Sequence, residues 1–112
     1  MFVCIPASSA AKTEARYKAF CEEVSAICGC INGYSAVRVS GQRMAIHEWN
    51  GTKTIEDTHI VYFDRQQLEG RRCIVFDDII TRGRNFARFT RGLEMYGASV
   101  AAGLFLAQTI NI

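Results

Sequence analysis

Two adjacent carboxylates, Asp77 and Asp78, close the apolar run Cys73-Ile74-Val75-Phe76, and Thr81, Arg82, Gly83, Arg84 and Asn85 follow almost at once. Burying carboxylates without partners is costly, and a solvated turn needs no apolar lead-in. The segment therefore reads as a binding site. Asp77 and Asp78 are poor ligands for phosphate, because like charges repel, and good acceptors for two neighbouring sugar hydroxyls. Residues 81–85 lead into a helical pattern. Backbone N–H groups at a helix start are unpaired donors, and the peptide dipoles favour an anion there. Gly83 lets a ligand approach the backbone, and Thr81 and Asn85 can add side-chain hydrogen bonds. The chemistry that suits these residues is recognition of a sugar phosphate, with hydroxyls on the carboxylates and phosphate on the loop.

Such a site needs a strand before it and a helix after it. Residues 72–77 form the strongest strand pattern, centred on Ile74, Val75 and Phe76. A continuous apolar strand fits a sheet covered on both faces. Residues 84–96 predict a helix, with Phe86, Phe89, Leu93 and Tyr96 three or four apart and Gly97 as its stop. Residues 99–106 predict another strand. Strand, helix, strand makes a parallel βαβ unit, and ligands of such sheets sit beyond the carboxyl ends of the strands. Upstream, residues 2–5 predict a strand stopped by Pro6, residues 7–10 a tight loop, and residues 13–29 a helix capped by Thr13 and ended by Gly29. Tyr17, Phe20, Val24 and Ile27 form its apolar stripe. Residues 34–39 and 58–63 predict two more strands, and Leu68-Glu69-Gly70 a turn. Residues 40–57 are polar and mixed and give no clear element. The class is α/β, a mainly parallel sheet flanked by helices.

The chain has 112 residues, with 13 basic and 11 acidic side chains and a net charge of +2. One domain over residues 1–112 is expected. It opens directly in a strand-like run, which leaves room for a natural N-terminal region ahead of it. The charge balance neither demands nor excludes nucleic acid, and nothing else indicates it. Arg71, Arg72, Arg82, Arg84 and Arg88 surround the carboxylate pair in sequence. The five cysteines have no disulfide or zinc spacing and are expected to be reduced thiols of a cytoplasmic protein. No run is long enough to cross a membrane. An exposed sheet edge in so small a domain favours a homodimer.

The stretch "IVFDDIITRG", residues 74–83, resembles the signature of the type I phosphoribosyltransferases, and the likeness runs on through "YGASVAAGLFLA", residues 96–107. Arg82 stands where a second threonine is commonest in that family, and Asn85 replaces a frequent threonine or serine. The resemblance implies binding of phosphoribosyl pyrophosphate, or a nucleoside monophosphate. Asp77 and Asp78 would hold the ribose 2′ and 3′ hydroxyls. Thr81, Arg82, Gly83, Arg84 and Asn85 would bind the 5′-phosphate. The loop of Ala7, Ser8 and Ser9 would bind pyrophosphate, with Lys18 and Arg16 in reach. Mg²⁺ would bridge pyrophosphate and ribose oxygens, with no side chain assigned as its direct ligand. "RYKAFCEEV", residues 16–24, is similar to a stretch of competence-related members, in the basic residue Lys18 and in Phe20. The implied fold is the family core with its hood reduced or missing, and residues 40–57, with His47 and Trp49, would have to supply the catalytic loop. The implied activity is transfer of ribose 5-phosphate to a nitrogenous base. The alternative is a regulatory module that binds the same ligand without turnover. An accessory role in DNA uptake rests only on the competence-type likeness.

Overall fold

Phe2-Val3-Cys4 carries no polar side chain and is followed by Pro6, which cannot donate to a ladder. It forms β1 (Phe2–Cys4), buried throughout. The computed structural model describes residues 1–49, 52–80 and 83–109, and within these the side chains other than those of 41–49, 52–59 and Arg84. The strand predicted over 72–77 becomes β4 (Arg72–Ile80), and the strand predicted over 99–106 becomes β5 (Ser99–Gln108). They join β1 in a three-stranded sheet of order β1-β4-β5. Both pairings are parallel, with Cys4 beside Phe76 and Asp77 beside Phe105. The α/β class and the parallel sheet expected from the sequence are both present.

Helices cover opposite faces of this sheet. After β1 the chain turns helical at α1 (Ala10–Thr13), passes through a π turn at Glu14–Lys18, and continues as α2 (Ala19–Cys28). Tyr17 and Cys21 pack on Phe2, Cys4 and Phe76. After β4 the chain forms α4 (Arg84–Met95). Its Phe89 and Leu93 pack on Val3, Ile5, Cys73 and Val75, the other face. The strand alternation of β1 and β4 thus feeds two separate apolar layers.

The first helix starts three residues earlier than expected. Ser9, not Thr13, is its cap, and the Ser9 hydroxyl accepts from the Lys12 N–H at 3.2 Å. Thr13 lies inside the helix, where its hydroxyl donates to the Ser9 carbonyl at 2.7 Å and accepts from the Ala7 N–H at 3.0 Å. A π turn adds a residue to the turn and rotates the buried face. Tyr17, Cys21 and Ser25 are therefore buried, while Ile27 of the expected stripe is 83% exposed. Gly29 ends the helix in the left-handed region, at φ 68°.

Residues 40–57, unassigned from sequence, lie mostly in strands. Tyr34–Ala36 is a 3₁₀ turn rather than the start of a strand. β2 (Val37–Trp49) and β3 (Thr52–Phe63) then pair antiparallel, from Val37 opposite Phe63 to Trp49 opposite Thr52. A ribbon of this kind is held by backbone pairing and needs no apolar run, so its polar arms gave no hydrophobic signal. The available signal was Asn50-Gly51, the favoured dipeptide of a two-residue hairpin turn. A short α3 (Arg65–Leu68), capped by Asp64, precedes the expected turn at Leu68-Glu69-Gly70, where the Arg71 N–H donates to the Leu68 carbonyl at 2.9 Å and Gly70 takes φ 75° before β4. The expectation that both sheet faces are covered fails at β5, where Leu104 is 50% and Leu106 77% exposed. Among the described residues, no helix is long and apolar enough to cross a membrane.

Gly33 clamps the edge of β1. Its N–H donates to the Phe2 carbonyl at 2.8 Å. A Cβ there would lie 2.7 Å from that same oxygen and from side-chain atoms of Met1 and Val3. Gly33→Ala is therefore expected to cost about 1–3 kcal/mol, as overpacking does. The check is a lower midpoint in thermal unfolding followed by circular dichroism.

Candidate functional site

The carboxylate pair sits at the carboxyl end of the middle strand. Asp77 and Asp78 lie within β4, which runs three residues further than the sequence pattern suggested, with Asp77 paired to Phe105 and Ile79 to Ala107. The connection leaving β1 runs over one face and the connection leaving β4 over the other, so the ends of β1 and β4 part there. This is the topological switch point at which α/β sheets open a crevice. The register sets its two walls level. The Ile5 N–H donates to the Phe76 carbonyl at 2.8 Å, so Pro6 to Ser9 depart beside Asp77.

Each carboxylate is oriented locally. An Asp77 carboxylate oxygen accepts from the Asp78 N–H at 2.9 Å, and an Asp78 carboxylate oxygen accepts from the Ile79 N–H at 2.8 Å. Both residues are half-buried. Burial pushes the Asp77 carboxyl up to about 6, and a hydrogen bond shared with Asp78 adds to this. The Asp78 N–H and the Tyr17 hydroxyl oppose the shift. Tyr17 is itself pushed up to about 12, by burial first and then by the Asp78 and Asp77 charges. Arg16 Nη1 lies 3.9 Å from Asp78 Oδ2, with both side chains about half exposed (54% and 43%). Such a solvated pair contributes no more than about 1 kcal/mol. The π turn thus delivers Arg16 and Tyr17 to the two carboxylates.

The other expected residues divide into three groups. Ala7 and Ser8 share a cleft of about 750 Å³ with Asn85, and Arg88 and Arg91 of α4 line the same cleft. Gly83 precedes α4 with φ 74°, a conformation that suits glycine, and its carbonyl accepts from the Ala87 N–H. Arg84 is the first residue of α4, and Ser9 caps α1. Lys18 stands apart, 4.0 Å from Glu14 on an exposed helix face. Thr81 and Arg82 lie outside the described residues, as do the side chains of His47, Trp49 and His59. Of the five arginines near the pair in sequence, Arg71 and Arg72 are at the opposite end of β4, roughly 20 Å away at 3.3 Å per residue.

Sequence reasoning missed Lys12 and underread Tyr17. Lys12 Nζ reaches the Ser8 hydroxyl at 3.5 Å, so it is the lysine beside the loop after β1. The signal for it was Ser9 with Lys12 three residues on, in the first turn of a helix that starts at Ala10. The apolar stripe marks Tyr17 as core only; no local pattern marks it as a neighbour of Asp77.

The folded Asp77 carboxyl at about 6 stands above its ordinary value of 3.8. The folded chain holds this proton more tightly than the unfolded chain. The stabilisation is complete below about pH 4 and is lost as pH rises through about 6. Raising pH from about 4 to about 7 is expected to lower the melting midpoint of the wild type more than that of Asp77→Asn. Melts of both proteins across that range test this; equal slopes would mean that Asp77 titrates as an ordinary carboxyl. Compared with known protein-family models and with characterised proteins, the chain matches none of them.

Proposed function

We propose that the chain binds phosphoribosyl pyrophosphate and transfers ribose 5-phosphate to a nitrogenous base, as a small type I phosphoribosyltransferase. The observation that carries this reading is the Asp77-Asp78 pair at the switch point of a parallel sheet, with the start of α4 following it. Two rigid, adjacent acceptors match two adjacent ribose hydroxyls. The N-terminus of α4, entered through Gly83, offers N–H donors for the 5′-phosphate. Ala7, Ser8 and Ser9, with Lys12 alongside, would face the pyrophosphate.

The reaction asks for positioning and charge placement rather than a nucleophilic side chain. A base nitrogen attacks ribose C1 as the bond from C1 to the pyrophosphate oxygen breaks. Positive charge grows on the ribose, where the nearby Asp77 and Asp78 carboxylates favour it. Negative charge grows on pyrophosphate, where Lys12 favours it. Mg²⁺ is commonly held through one or two carboxylates and substrate phosphates rather than a full protein cage. Asp77 and Asp78 fit that donor set. When bound, the ion would neutralise the leaving group.

Calorimetric titration with phosphoribosyl pyrophosphate and Mg²⁺ tests the reading. Asp77→Asn/Asp78→Asn removes two charge-assisted acceptors of about 1.5–3 kcal/mol each. The expected loss is at least about a hundredfold in affinity, in a variant that still melts cooperatively. Failure of the folded wild type to bind would overturn the proposal. Binding with no turnover across a panel of bases would leave the regulatory module instead.

A further inference from the structure

Directly beneath the site, two thiols from different elements touch. Cys4 Sγ and Cys21 Sγ are 3.2 Å apart, in the layer between the sheet and α2. Cys4 is the last residue of β1, and Cys21 lies one turn beyond the π turn that carries Arg16 and Tyr17. Both are free thiols, 7% and 0% exposed. Cys73, the third buried thiol, lies in the opposite apolar layer and faces away from them. A disulfide needs a sulfur–sulfur bond of about 2.05 Å, so closing one asks for an approach of roughly 1 Å between groups already in contact.

We propose that Cys4 and Cys21 form a reversible intramolecular disulfide when the protein meets a hydroperoxide. One of the two thiols loses its proton and attacks the peroxide bond. This gives a sulfenic acid on that cysteine and releases an alcohol, or water from hydrogen peroxide. The sulfur of the other cysteine attacks it, the sulfur–sulfur bond forms, and water leaves with the second thiol's proton. The two thiols give up two electrons and the hydroperoxide takes them. A dithiol reverses the bond by exchange.

The bond closes a covalent ring from residue 4 to residue 21. The loop of Ala7 to Ser9, and Arg16 and Tyr17, all lie inside it. Its formation ties the end of β1 to the helix and restrains opening of the loop between them. That this loop also holds pyrophosphate rests on the function proposed above. The bond itself does not, and its test uses no ligand.

The folded chain bearing Cys28→Ser/Cys30→Ser is treated with hydrogen peroxide, alkylated, digested and mapped by mass. The expected product is the Cys4 peptide joined to the Cys21 peptide, two hydrogens lighter than their sum and separated by dithiothreitol. In the unsubstituted chain, cleavage after Glu23 separates Cys21 from Cys28 and allows the same assignment. Native trypsin cleavage at Lys12, Arg16 and Lys18, all inside the ring, is expected to slow by about threefold or more on oxidation, as cleavage follows local opening. Cleavage at Arg91, outside the ring, should not change. Alkylation of both Cys4 and Cys21 after oxidation would overturn the proposal, as would pairing of either with another cysteine or unchanged cleavage within the ring.

Discussion

The parallel register of β1 against β4 is the constraint on which the rest depends. Phe2, Val3 and Cys4 pair with Ile74, Val75 and Phe76, and the Ile5 N–H continues the ladder onto Phe76. A slip by one residue would exchange the two apolar faces. Val3 and Ile5 would then meet Tyr17 and Cys21, and Phe2 and Cys4 would meet Leu93. It would also shift Pro6–Ser9 out of level with Asp77. The register is fixed from outside as well. Phe2 receives the Gly33 N–H on its carbonyl and donates to Ile31, while the Met1 carbonyl accepts from Ile74. So short a strand holds its place because every neighbour pins it.

The carboxylate pair works against this stability. Two adjacent acids at the end of a buried strand lose solvent and repel each other, and Asp77 takes up the consequence as a raised affinity for protons. The structure offsets this only in part. Backbone N–H groups of Asp78 and Ile79 orient the oxygens, and a loose contact with Arg16 adds little. The arrangement is under-neutralised, which is what the proposed binding of two hydroxyls and a cation would require. A fully paired Asp77-Asp78 would be more stable and would have nothing left to offer a ligand.

What the sequence made legible follows from how local each signal is. The unit from β4 to β5 could be read because its apolar runs, the Phe89 and Leu93 spacing and the Gly97 stop act over a few residues. β1 could be read from three apolar residues and a proline. The strands predicted over 34–39 and 58–63 fall on the start of β2 and the end of β3, but the rest of the hairpin could not be read, because residues such as Arg43 and Asp57 find each other only through pairing. The π turn was invisible for a related reason. Its extra residue is stabilised by packing of Tyr17 and Cys21 on the sheet, so a regular 3.6-residue stripe pointed to Ile27 instead. At the site, Asp77, Asp78, Gly83 and Asn85 stood out by type and order. Lys12 and Tyr17 did not, since their roles come from where β1 ends relative to β4.

Charge is distributed at the site by element rather than by sequence neighbourhood. Arg71 and Arg72 precede the acids by few residues yet lie at the far end of the strand, because an extended chain converts sequence separation directly into distance. The cations near the pair and near the loop after β1 come instead from helices: Arg16 at Asp78 and Lys12 at Ser8 from the first, and Arg88 of α4 in the cleft it shares with Ala7 and Ser8. These are long side chains on exposed helical turns. Asp77 and Asp78 are short side chains on a paired strand, held by their own backbone. Under the proposed function, discrimination would belong to the strand-held acceptors, which suit two hydroxyls at fixed spacing, and attraction to the helix-borne cations, which suit phosphate. That division would let a chain of 112 residues be selective through Asp77 and Asp78, provided the strand beneath them stays in register.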